Sequence, residues 1–167
     1  MKIKGIIDED FVNYKKPSMF INFPYCTFKC DVLNGCQICQ NEPLVREPNI
    51  DIDCHEIIER YLRNPITEAI VFGGLEPFDS EIDISELIGT LRDVYHCNDD
   101  IVIYTGYTEE ELQGNFCYEK ICKYFPNIYI KFGRFIMNQE SHYDEVLGVT
   151  LASPNQYGKL VSSNDNM

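Results

Sequence analysis

Four cysteines fall within fourteen positions, at Cys26, Cys30, Cys36 and Cys39. One or two such residues would be ordinary small hydrophobes, but four on a loop that also carries Gly35 are hard to explain by packing. Thiolates are soft ligands that select zinc or iron–sulfur clusters. Structural zinc usually takes two Cys knuckles separated by about a dozen residues or more. Here five residues separate Cys30 from Cys36, which is cramped, though zinc stays open as an alternative. A cubane cluster is larger and is commonly wrapped by one short loop. Four thiolates would close it and leave it electron transfer alone. Three would leave one iron open to a bound molecule, the condition for Lewis-acid or redox chemistry.

Other residues invite chemistry less strongly. Gly73-Gly74-Leu75-Glu76-Pro77 is either a tight turn or a place where a ligand can approach the backbone closely. Glu76 is either a solvated carboxylate or the partner of a cation. Thr108 with Glu111 makes a helix-capping box whatever else it does. Cys54 lies on an apolar helical stripe and reads as core. Cys97, Cys117 and Cys122 are isolated and read as structural thiols, with a second metal site as the alternative. His55, His96 and His142 are scattered, and nothing marks any of them as ligand or base.

Short apolar runs must position these groups. Met19–Phe23, Ala69–Phe72, Ile101–Tyr104 and Ile128–Lys131 read as strands, with a fifth candidate at Leu147–Ala152. Runs apolar on both sides suit a parallel sheet covered on both faces. Between them, Asp53 to Asn64 puts Cys54, Ile57, Ile58, Tyr61 and Leu62 on one helical face, with Asp53 as cap. Ile84, Leu87, Ile88, Leu91, Val94 and Tyr95 form a second stripe behind an Asp83/Glu86 cap pair. A short helix starts at Thr108, and another runs from Tyr118 to Phe125, before Pro126. Strand–helix–strand alternation implies right-handed βαβ units, hence an α/β fold. Ligands in such folds sit beyond the carboxyl ends of the strands. The cysteine loop, the glycine pair, Thr105–Thr108 and Gly133-Arg134-Phe135 each follow a strand, so they converge on one rim.

At these residues the chain resembles the radical S-adenosylmethionine superfamily, and within it the activating proteins of anaerobic ribonucleotide reductases. Cys26-x₃-Cys30 matches the first two positions of the family's Cys-x₃-Cys-x₂-Cys loop, and Cys39-Gln40-Asn41 looks like the third with its trailing Asn. Eight residues rather than two separate Cys30 from Cys39, with Cys36 inside the insertion; an alternative match takes Cys36-x₂-Cys39 as the second and third ligands. Phe72–Pro77 is similar to the family's Gly-Gly-Glu-Pro segment with Leu75 extra, and Gly5–Tyr14, Tyr104–Thr108 and Ser153–Gln156 are similar to other family segments. Lys131-Phe132 precedes Gly133 where the family often has an Asp.

The resemblance implies a small single domain over residues 1–167, a partial (β/α) barrel with its cluster loop at 24–41. It implies a [4Fe–4S] cluster on Cys26, Cys30 and Cys39, with Cys36 spare on a turn at Asn34-Gly35. It implies S-adenosylmethionine at Gly73, Gly74, Glu76, Thr105, Gly106 and Asn155. The activity implied is reductive cleavage of that cofactor to a 5′-deoxyadenosyl radical, which makes a glycyl radical on a partner such as an anaerobic ribonucleotide reductase. Flavodoxin or ferredoxin would supply the electron. A diverged relative acting on another protein or peptide, a pure electron carrier and a zinc module are the alternatives.

The 167 residues suit one domain with a substantial core. With 27 acidic against 14 basic residues, the formal net charge is −13, which disfavours nucleic acid and anionic lipid as partners. Met1–Asp10 lacks the apolar stretch of a signal peptide, and no apolar run approaches a membrane span. A cytoplasmic protein is therefore expected, where eight cysteines point to metal or redox chemistry before disulfides.

Overall fold

A computed structural model describes residues 1–162. Its strands are β1 (Lys2–Ile3), β2 (Gly5–Asp10), β3 (Ser18–Phe23), β4 (Ile50–Asp51) and β5 (Ala69–Gly74), followed by β6 (Asp100–Tyr104), β7 (Ile128–Phe132), β8 (His142–Asp144), β9 (Val149–Leu151) and β10 (Tyr157–Leu160). Six form one sheet in the order β10-β7-β6-β5-β3-β2. The central four pair in parallel and are the four strands expected from the apolar runs. Both outer strands, β2 and β10, run antiparallel to their neighbours, so the sheet is mixed rather than parallel throughout.

Alternation along the central strands explains why both of their faces are apolar. Ile21, Phe72, Ile103 and Ile130 point into the larger core, together with the inner faces of the helices. Phe20, Val71 and Val102 point the other way, into a smaller core closed by Tyr14, Leu147 and Leu151. The helices packed in the core thus cover one face. Loop and hairpin segments cover the other.

The helices are α1 (Lys29–Asn34), α2 (Glu42–Arg46), α3 (Cys54–Arg63), α4 (Glu81–Gly89), α5 (Glu109–Leu112) and α6 (Phe116–Tyr124). In α3 the Asp53 side chain caps the helix by accepting from the His55 N–H, and Cys54, Ile57, Ile58 and Tyr61 are buried. Leu62, expected on that face, lies past the edge of the stripe and is 45% exposed. The Asp83/Glu86 cap is not formed. A 3₁₀ turn at Pro77–Ser80, capped by Glu76, feeds directly into α4, so Asp83 falls inside the first helical turn. A π-helical turn over Thr90–Val94 then rotates the end of the stripe and turns Val94 outward. The Thr108/Glu111 capping box opens α5 as expected. Helix α6 starts ahead of Tyr118, because the Asn115 side chain accepts from the Tyr118 N–H and caps it.

The expected fifth strand is shorter and lies elsewhere. Val149–Leu151 pairs with β8 in a separate two-stranded sheet. The place beside β7 belongs to β10, which the apolar pattern does not mark. The Asp144 carboxylate accepts from the backbone N–H groups of Leu147 and Gly158, which pins the hairpin and β10 together over the smaller core. The architecture is a small mixed α/β domain built on one mixed sheet. Among the described residues no helix is long and apolar enough to cross a membrane.

Candidate metal centre

On the face turned away from the helices, the inward rows of the parallel strands end at Asn22 opposite Gly73 and at Tyr104 opposite Lys131. Beyond them a cavity of ≈ 430 Å³ opens, walled in part by Cys26, Cys30 and Cys39. Gly73, Gly74, Glu76, Thr105 and Gly106 share that wall with Gly133, Arg134 and Phe135, so the loops after four strands do converge. Asn155 lies outside it, where its side chain donates to the Arg134 carbonyl at 2.8 Å. The neighbouring Gln156 lines the cavity instead. Cys36 is exposed and outside the wall, with its sulfur 3.8 Å from that of Met137.

The path of the cysteine loop explains this sorting. Phe28 adopts a left-handed conformation that starts α1, which carries Cys30 inward. Gly35 ends α1 in the left-handed region at φ 68, and the chain leaves the cavity there with Cys36. It is brought back by Asp31, whose Oδ1 accepts from the N–H groups of Ile38 at 2.9 Å and Cys39 at 3.0 Å. Asn41 then donates to the Gly74 carbonyl at 2.6 Å and fastens the loop to β5. The Thr27 N–H donates to Asp79, which also takes the Tyr107 hydroxyl, so a third loop is tied in.

Burial pushes the Cys26 thiol up to about 11, although the Phe28 N–H donates to its sulfur and acts the other way. Cys39 is likewise raised by burial. These thiols keep their protons until a metal displaces them, so loading must release protons. A zinc–sulfur bond of about 2.3 Å requires the ligand atoms of one ion to crowd together. Among the described residues, the set of three donor atoms within 4.8 Å of one another is Asp53, Cys54 and His55, and the loop cysteines form no such set. Asp53 there is spent on its helix cap and Cys54 is core. A cubane gives each thiolate its own iron and suits a wider spread of sulfurs on a roomy wall. The three soft donors and the cavity therefore fit such a group.

Glu76 ties the second and third loops together. Its Oε1 accepts from the Thr105 hydroxyl at 2.8 Å and the Phe78 N–H at 3.1 Å, and its Oε2 from the Gly106 N–H at 2.8 Å. Burial nonetheless raises this carboxyl to about 7 against those three donors. Thr105 Oγ1 is occupied too, since it also accepts from the Tyr107 N–H. The glycine pair has a packing reason of its own. A Cβ on Gly73 would lie 2.5 Å from the Phe20 ring, and one on Gly74, at φ +79, would lie 2.8 Å from the Asn22 Cα. Lys131 is buried at the cavity wall, and burial lowers its ammonium to about 8. Its Nζ donates to the Gly133 carbonyl at 2.7 Å. Arg134 meanwhile grips Glu111 with both terminal guanidinium nitrogens, at 2.8 and 2.9 Å.

Asp31, Asn41, Asp79 and Lys131 thus belong to the site without having been singled out as site residues by the sequence. For Lys131 a signal existed, a lone cation on the inward register of an otherwise apolar strand. Asn41 is marked by the resemblance as the residue after the third cysteine, Asp31 finds its partners within the same loop, and Asp79 is recognisable only through partners distant in the chain.

No curated protein and no solved structure matches the chain. A family model described as a 4Fe-4S single cluster domain matches residues 17–150, which include all four loop cysteines and the strands that carry the cavity. The chain belongs to this family of single-cluster 4Fe–4S domains.

Proposed function

We propose that the protein is a radical S-adenosylmethionine enzyme. Its cluster is held by Cys26, Cys30 and Cys39, and its open sheet is the family's partial (β/α) barrel. The observation that carries the reading is the sorting of the loop: three cysteines share a cavity wall with the loops after β5 and β6, while Cys36 sits outside. Three thiolates leave one iron free for the amino and carboxyl groups of S-adenosylmethionine, whose reductive cleavage to a 5′-deoxyadenosyl radical is the chemistry the bound cluster would supply. The Glu76 carboxylate already takes three protein donors, so it positions the Gly73–Glu76 backbone toward the ligand ammonium rather than meeting it. Thr105 and Gly106 line the same cavity and are assigned here to the adenosine, and Asn155 to holding the Arg134 carbonyl.

The substrate in this reading is a glycine of a partner protein, such as an anaerobic ribonucleotide reductase, docked over the mouth. Ile7 and Val12 on the cavity wall are 48% and 74% exposed, and Val32 and Leu33 on the helix of Cys30 are 79% and 58% exposed, which suits a protein-covered rim. Flavodoxin or ferredoxin in the cytoplasm would deliver the electron.

Anaerobic reconstitution tests the reading. About four irons per chain are expected, with 5′-deoxyadenosine formed from S-adenosylmethionine after dithionite reduction. Cys26→Ser, Cys30→Ser and Cys39→Ser should each lose most iron and all cleavage, because an alkoxide poorly replaces a soft thiolate. Cys36→Ser should keep both. Zinc without iron, or a full cluster whose EPR signal ignores S-adenosylmethionine, would replace the reading with a zinc module or an electron carrier.

A further inference from the structure

Lys131 is the unusual group of the cavity. Period-2 alternation in β7 sends Ile128, Ile130 and Phe132 to the helical core and Lys131 to the opposite face, in register with Tyr104. It is only 8% exposed, on the wall shared with Cys26, Cys30 and Cys39. An ammonium has three donors, and among the described residues its hydrogen-bond partner is one carbonyl, that of Gly133. No carboxylate among the described residues forms an ion pair with it. The Tyr104 ring lies 5.9 Å from Nζ, and the groups whose charge acts on it are Glu76 and Cys30. A buried cation without a counter-ion is costly, because its lost hydration is not repaid by a partner charge. Two donors of that cation are thus unspent on a cavity wall it shares with three thiols.

We propose that Lys131 is the fixed counter-charge of the iron–sulfur cluster and sets its reduction potential. This rests on the reading that Cys26, Cys30 and Cys39 hold the cluster. Reduction adds one electron and no proton to a group already surrounded by thiolates. A cation immobilised beside it stabilises the more negative state more than the oxidised one, because water is excluded there and screens little. Lys131 is thus a positioning charge. It ligates nothing and touches no reacting bond.

The test is an EPR-monitored redox titration of the reconstituted protein without S-adenosylmethionine, comparing the parent with Lys131→Met, Lys131→Gln and Lys131→Arg. Met and Gln should hold the same iron as the parent yet be at least about tenfold harder to reduce, a shift of about 59 mV to more negative potential for one electron. Arg should restore the parent value. If either neutral variant loads iron and titrates at the parent potential, the proposal is overturned, and tighter or weaker S-adenosylmethionine binding in that variant would make Lys131 a ligand-binding group instead. Should the parent take up no iron–sulfur cluster, the underlying assignment of the cysteines fails, a result distinct from an unchanged potential.

Discussion

Glu76 shows how one side chain can organise a site without reacting in it. Three protein donors converge on its two oxygens from the segments after β5 and β6. Donors of this kind favour the carboxylate, whereas burial favours the neutral acid, and burial wins, raising the group to about 7. The folded value lies above the unfolded one, so the stability this group contributes is complete below about 4.5 and is lost as pH rises through about 7. The melting temperature of the metal-free protein should therefore fall between pH 5 and 8 by a few degrees more than that of Glu76→Gln, since 1 kcal/mol moves Tm by about 2–4 °C at this chain length. Every other group is common to both proteins, so the difference between the two curves isolates Glu76. Parallel curves measured by calorimetry would show that the carboxyl is not perturbed.

The cysteine loop depends on clips more than on secondary structure. Helices α1 and α2 bury none of their residues, so packing does little to hold them. Asp31 supplies what packing does not, through two charge-assisted bonds that return Cys39 to the cavity after the excursion to Cys36. Bonds to a charged group contribute about 1.5–3 kcal/mol each. Asp31→Ala should release cluster iron to a chelator at least about tenfold faster, equivalent to about 1.4 kcal/mol, while Asp31→Asn, which keeps an acceptor oxygen, should be much closer to the parent. Equal rates for Ala and parent, followed by absorbance of the iron chelate, would mean that the loop holds Cys39 without this clip.

Across the whole molecule, charge and apolar surface are unevenly shared. The excess of 27 acidic over 14 basic residues spreads a negative field, while Ile7 and Val12 present an exposed apolar patch on the cavity wall. If a protein segment docks there, a charge placed within the patch must be desolvated on contact. Val12→Glu should leave S-adenosylmethionine cleavage within about twofold and cut the glycyl-radical doublet on the partner about tenfold, the worth of about 1.4 kcal/mol. An unchanged EPR doublet would move the docking surface elsewhere.

Features that neighbouring residues control are legible in the chain alone. Four central strands follow from apolar runs, the face and cap of α3 from helical spacing behind Asp53, the start of α5 from Thr108 and Glu111, and the metal chemistry from four clustered thiols. Local signals suffice there because a turn, a cap or a buried run draws its free energy from residues close in the chain. Fold register and packing settled that Glu76 is filled by Thr105 and Gly106, that Gln156 rather than Asn155 lines the cavity, and that β10 rather than Leu147–Ala152 pairs with β7. Those outcomes depend on partners two dozen or more residues away, brought together by strand register, with the Asp144 carboxylate pinning β10 in place. Sequence spacing does not encode which segment pairs with a given sheet edge; the packing of both sheet faces does.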